Sequence, residues 1–161
     1  MADDTYRRDN DSTPARLYAG LIGATLLVAG IIGFFYSASF GSPGEKDAVL
    51  GILEVNGWHN LVHLASGALG LLAFASGPAA SRTYALAFGV VYILVAIWGF
   101  IIGSGDSILS IIPVNTEDNI LHLILGVLGI GAYAASDPEA QERNRTTGTG
   151  AGDRTAARRA T

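Results

Sequence analysis

Four long apolar runs, each bounded by polar or charged residues, limit what this chain can fold into. A helix needs roughly 20 residues to cross a hydrocarbon core of about 30 Å. The runs at 17–40, 55–74, 83–103 and 119–135 supply that length or come near it. Charged residues make up only 15% of the 161, and nearly all of them fall in the tails and loops. Apolar residues gathered in this way make a poor soluble core, because no charge interrupts them to cover an outer face. The lipid bilayer is therefore the first expected partner.

The ends of the runs carry their own signals. The first is uncharged and closes on Phe34, Phe35 and Tyr36. The second closes at Gly77 and Pro78, and the fourth at Ser136, Asp137 and Pro138, where proline cannot continue a helix. Trp58, Trp98, Tyr18 and Tyr84 fit the default role of aromatics near a membrane surface, that of interface anchors. Residues 1–16 are polar and mixed in charge, and in the 136–161 segment nothing larger than alanine is available to bury from Glu139 on. Both are expected to be disordered tails around a transmembrane domain at 17–135. The polar start and the length of the first run argue against a secretory signal.

Lysine and arginine set the orientation. Arg7, Arg8 and Arg16 precede the first run, and Arg82 lies between the second and third. Arg143, Arg145, Arg154, Arg158 and Arg159 follow the fourth. The remaining two loops carry Lys46 alone, and the Glu45-Lys46-Asp47 stretch reads as solvated loop. Both termini are expected in the cytoplasm, the acidic loops outside, and the protein in the plasma membrane.

Within this frame a stripe occurs twice. Asn56, Asn60, His63, Gly67 and Gly70 return as Asn115, Asn119, His122, Gly126 and Gly129, with an offset of 59 at all five positions. The spacing i, i+4, i+7, i+11, i+14 keeps each set on one helix face. The odd runs repeat too: Tyr18, Ala19, Gly23, Ile31, Gly33 and Phe34 match Tyr84, Ala85, Gly89, Ile97, Gly99 and Phe100 at an offset of 66. A two-span unit preserves orientation, so two such hairpins would be parallel repeats about an axis along the membrane normal. The ten stripe residues are expected to converge near the outer leaflet. The glycines remove bulk so that a neighbouring backbone can approach, and the small pairs Ala19–Gly23 and Ala29–Gly33 could supply it.

Three readings of the polar members stay open. The default is packing and register. Asn56 and Asn115 would cap helix starts, and Asn60, His63, Asn119 and His122 would pair with carbonyls or with each other, at about 0.6 kcal/mol per contact. A second reading is an outward cavity with Glu54, Glu117 and Asp118 at its mouth. Its histidines would serve a transporter or a pH or ligand sensor. The third is metal or haem. His59 and His63 stand at i, i+4 and could face one ion, and His63 and His122 could be axial ligands. Against it, no carboxylate follows the metalloprotease pattern, and the position matching His59 is Asp118. No metal or cofactor is therefore expected, His59, His63 and His122 being the residues that would hold one.

Other chemistry is excluded more simply. Without cysteine there is no disulfide, thiolate nucleophile or thiolate metal site. A net charge of −4 and no basic face leave nothing for nucleic acid. Phosphate loops and G-x-S-x-G elbows are lacking, so an enzyme is not expected.

The segments His59-Asn60-Leu61-Val62-His63-Leu64 with Gly67, and Pro113-Val114-Asn115-Thr116-Glu117-Asp118-Asn119 with Leu121, His122 and Gly126, resemble the signature of a bacterial membrane family, domain of unknown function 4383. The likeness extends over 17–135. It implies a small four-span protein and brings no activity, substrate or cofactor with it. Glu117 stands where that pattern leads one to expect a small residue such as alanine. The expected architecture is thus all-α, a polytopic four-transmembrane-helix bundle of two parallel helical-hairpin repeats. The expected role is structural or interaction-based, with lipid and a second copy or another membrane protein as partners.

Overall fold

The computed structural model describes residues 13–41 and 46–137. Most of both expected tails, their arginines other than Arg16, and Glu45 lie outside the described residues. Four helices follow in order: α1 (Pro14–Tyr36), α2 (Gly57–Ser76), α3 (Pro78–Ile102) and α4 (Thr116–Ala135). Two short antiparallel hairpins sit in the long connections, β1 (Asp47–Val49) with β2 (Leu53–Val55), and β3 (Ser107–Ile108) with β4 (Ile112–Pro113). The α1–α2 and α3–α4 connections had been expected as plain loops. Instead Val49 pairs with Leu53 and Ile108 with Ile112, around turns in which Leu50, Gly51, Leu109 and Ser110 all have positive φ. Two successive positive φ values give the turn the twist that antiparallel strands favour.

Each helix begins where its local chemistry lets it. Thr13 accepts the Arg16 N–H, and Pro14 opens α1 with a pre-set φ and no donor to waste. Pro78 opens α3 in the same way, so that helix starts ahead of the expected 83 and takes in Arg82. Between α2 and α3 stands Gly77 alone, at φ +104°, a conformation that suits glycine. Helix α1 ends at Tyr36, short of the expected 40. Past it the Ser39 carbonyl accepts the Gly57 N–H at 2.7 Å, and Phe40 meets Trp58 edge-on at 5.1 Å. The expected solvated loop is also tied down, with Lys46 Nζ 2.7 Å from a Glu54 carboxylate oxygen.

Among the described residues, α1, α3 and α4 are long and apolar enough to cross a membrane. That is the helix set of a membrane-embedded protein. Helix α2 has the same 20 residues as α4 but is not among those three. His59, Asn60, His63, Ser66, Gly67 and Gly70 dilute its apolarity.

Packing is closest within the pairs α1–α2 and α3–α4. A methyl group on Gly67 would stand 2.5 Å from the Leu27 backbone nitrogen, and one on Gly23 2.8 Å from that of Leu71. In the other pair, a methyl on Gly89 would stand 2.9 Å from the Gly126 carbonyl oxygen and one on Gly126 2.9 Å from that of Gly89. Backbones this close gain dispersion contacts, a main source of helix association where lipid surrounds everything. Between the pairs lies an aromatic core. Tyr84 stacks on Phe88 at 5.1 Å and Phe88 on Tyr92 at 3.8 Å, while Tyr18 meets Phe88 edge-on.

Candidate functional site

The chemistry-bearing residues gather at the end of the molecule that carries the β-hairpins. Asn56 and Asn115 precede α2 and α4 and cap them, as expected: Asn56 Oδ1 accepts the His59 N–H and Asn115 Oδ1 the Asp118 N–H, both at 2.9 Å. Their amide nitrogens reach across. Asn56 Nδ2 donates to the Ile111 carbonyl at 2.7 Å, and Asn115 Nδ2 to the Ile52 carbonyl at 2.5 Å. Each asparagine thus starts its own helix and holds the turn of the other β-hairpin.

Deeper in, the stripe divides. Asn60 and Gly67 face α1, where Asn60 donates to the Ser37 carbonyl at 2.8 Å and its Oδ1 lies against the bare Cα of Gly33. Asn119 and Gly126 face α3, with Asn119 Oδ1 against Gly99. Gly70 and Gly129 receive the Tyr84 and Tyr18 hydroxyls, respectively, as close neighbours. The ten residues therefore do not meet at one place, because a helix face is wide enough to serve two neighbours.

The histidines do meet. His59 to His63 is 4.5 Å between ring centroids, His59 to His122 6.0 Å and His63 to His122 6.5 Å. One nitrogen from each ring lies within 4.8 Å of the others. His59 Nδ1 is 2.8 Å from the Glu54 carbonyl oxygen. A carbonyl only accepts, so Nδ1 carries the proton and Nε2 is left as a lone pair. Glu54 is itself held, its N–H donating to Asp118 Oδ2 at 3.0 Å. His59 and His122 are 2% and 6% exposed, yet His59 Nε2 and His122 Nδ1 have no hydrogen-bond partner among the described residues. Leaving a buried polar atom unpaired costs roughly 1–3 kcal/mol.

These rings close one end of a pocket of about 270 Å³ between α2 and α3. Val62 and Leu69 form one wall, Phe88 and Val95 the other, and Ile108 and Ile112 of the second β-hairpin also line it. Tyr92 presses edge-to-face on His122 at 5.0 Å. The arrangement offers lone pairs on three imidazoles beside an otherwise apolar cavity. Such an arrangement can bind a cation or a hydrogen-bonding head group.

Residues 16–135 match the family model described as Domain of unknown function (DUF4383). The chain belongs to that family. No curated protein and no solved structure matches it. The matched region of this DUF4383 member takes in both β-hairpins, the histidine cluster and nearly all of the four helices.

Some contacts of the site leave little trace in the sequence. Tyr18 and Tyr84, expected only as interface anchors, also bond across the hairpins: the Tyr18 hydroxyl donates to the Leu125 carbonyl at 2.7 Å and that of Tyr84 to the Ser66 carbonyl at 3.1 Å. The carbonyls of Ile52, Ile111 and Glu54 were also missed. A signal for the first two exists: Val49-Leu50-Gly51-Ile52-Leu53 returns as Ile108-Leu109-Ser110-Ile111-Ile112 at the stripe's own offset of 59.

Proposed function

We propose that this protein spans the plasma membrane of a bacterial cell four times, with both termini cytoplasmic, and that its outward histidine pocket is a ligand-binding site. Helix α2 joins the spans because its outer face is apolar and uncovered: Leu61, Leu69 and Leu72 are all exposed. Two parallel hairpin repeats, α1–α2 and α3–α4, account for contacts that come in matched pairs. Tyr18 on Leu125 answers Tyr84 on Ser66. At the opposite end Arg16 donates to the Phe74 carbonyl and lies over that ring, and Arg82 does the same to Tyr133. Arginines at that end fit a cytoplasmic side.

The observation that carries the binding role is the pair of buried, unpartnered imidazole nitrogens on His59 and His122. Asn60 Oδ1 and Asn119 Oδ1 are buried and unpartnered too, but they lie against Gly33 and Gly99 inside the hairpins, whereas His59 and His122 line the pocket. Here the cross-hairpin ties are made by Asn56, Asn115, Tyr18 and Tyr84, while His63 and His122 make no side-chain hydrogen bond among the described residues. Sites kept for ligands commonly sacrifice stability. A sensor or small carrier fits this division better than a purely structural element.

Thermal unfolding in detergent tests the division. His122→Leu removes an unpaired polar atom for an apolar one of similar bulk, so it should melt at or above the wild-type temperature. Asn115→Ala removes a cap and a cross-hairpin bond, and should melt lower. A His122→Leu loss as large as that of Asn115→Ala would return the cluster to a packing role.

A further inference from the structure

We propose that His59, His63 and His122 bind one divalent transition-metal ion, Zn²⁺ in first place, with its fourth coordination position open to the apolar pocket. The proposal rests on the binding role above and specifies its ligand. These are the only three histidines of the chain, drawn from two helices into one cluster. Atoms no more than 4.8 Å apart enclose a point within about 2.8 Å of each, and Zn–N bonds run about 2.0–2.1 Å. Less than about 1 Å of ring movement closes that gap, within reach of small side-chain rotations.

The donor chemistry agrees. Neutral imidazole suits Zn²⁺, Co²⁺, Ni²⁺ and Cu²⁺, while Mg²⁺ and Ca²⁺ want oxygen, and without thiolate the site has no pull for the softest ions. His59 already has the outer support typical of a metal-bound histidine, with Nδ1–H on a backbone carbonyl and Nε2 turned free. His122 Nδ1 is buried and unpartnered as well, so no hydrogen bond holds that ring to one tautomer and its lone pair is free for the ion. Structural zinc sites are closed by four protein ligands, whereas three histidines and a vacant position are the pattern of sites that bind or activate something further. Three neutral donors leave both charges of the ion uncompensated. The nearby Asp118 carboxylate is engaged by the Glu54 N–H. The fourth ligand is therefore an anion, hydroxide in the simplest case or a small weak acid whose apolar part lies between Val62 and Phe88.

His59 and His63 come from the first helical hairpin and His122 from the second, so the ion would also bridge the two. Binding must then raise the melting temperature with metal concentration.

The test uses the full chain in detergent or nanodiscs, without a polyhistidine tag, titrated with Co²⁺ and then Zn²⁺. One Co²⁺ per chain should bind with the visible absorption of a four-coordinate nitrogen-rich site, be displaced by Zn²⁺ and raise the melting temperature. His59→Ala, His63→Ala and His122→Ala should each weaken binding by more than the roughly 10–100-fold that losing a second-shell partner costs. X-ray absorption of the Zn²⁺-loaded wild type should count three imidazoles, which keeps the test decisive if a variant fails to fold. Absence of Co²⁺ or Zn²⁺ binding, or binding that survives in folded histidine variants, overturns the proposal. No metal binding with a stable His122→Leu would remove the metal alone. A destabilised His122→Leu would remove the binding role itself.

Discussion

Asn56 and Asn115 each use both ends of one amide, the oxygen on the adjoining helix and the nitrogen on the opposite β-hairpin. Losing a cap costs about 0.5–2 kcal/mol, and the severed cross bond adds roughly 1 kcal/mol. Asn56→Ala and Asn115→Ala should therefore each lose about 1.5–3 kcal/mol in equilibrium unfolding, by similar amounts. A loss confined to one of them would contradict the reciprocity. The caps were legible in the sequence because an N-cap is a local pattern. Their long reach was not, since the repeated turn marks Ile52 and Ile111 as equivalent positions without saying that each is met by the asparagine of the other half. The histidines were legible as candidates and as a repeated position. What decides their role, the Glu54 carbonyl on His59 and the missing partner of His122, depends on backbone geometry at a distance.

Helices carry the next layer. Their existence follows from apolar length and their starts from Pro14, Pro78, Asn56 and Asn115, while apolarity misplaces the ends near Arg82 and Phe40. A charge suggests a loop, but Arg82 lies within α3 with its guanidinium over Tyr133 at 4.3 Å. An aromatic suggests a longer helix, but Phe40 lies past the end of α1 and folds back on Trp58. The glycines are where helix packing is most exposed to mutation. Gly67→Ala forces a methyl against the Leu27 backbone and should destabilise by about 1–3 kcal/mol, the usual cost of overpacking. Gly131 has nothing within 4 Å of the same added atom, so Gly131→Ala should be neutral or slightly stabilising. Unfolding of the two variants in parallel checks this. Equal losses would mean that close approach at Gly67 is not what holds α1 to α2.

At the scale of the whole molecule, two hairpins tied by asparagines at one end and by tyrosines deeper in leave three imidazoles facing one another beside an apolar pocket. The repeat was visible as two offsets, 59 and 66, but sequence alone did not show that equivalent residues exchange partners between halves. Nor could it show the break in symmetry. His59 and Asp118 occupy matching positions and both bond the Glu54 backbone, yet only His59 brings a ring nitrogen into the cluster. That break places a third nitrogen beside the related pair His63 and His122. A side-chain-resolution map of the protein in nanodiscs with Zn²⁺ present tests this most directly. The expected result is a single strong peak bounded by His59, His63 and His122, with Asn56 and Asn115 crossing between hairpins. Imidazoles turned apart, each bonded to a backbone carbonyl with no density among them, would contradict it.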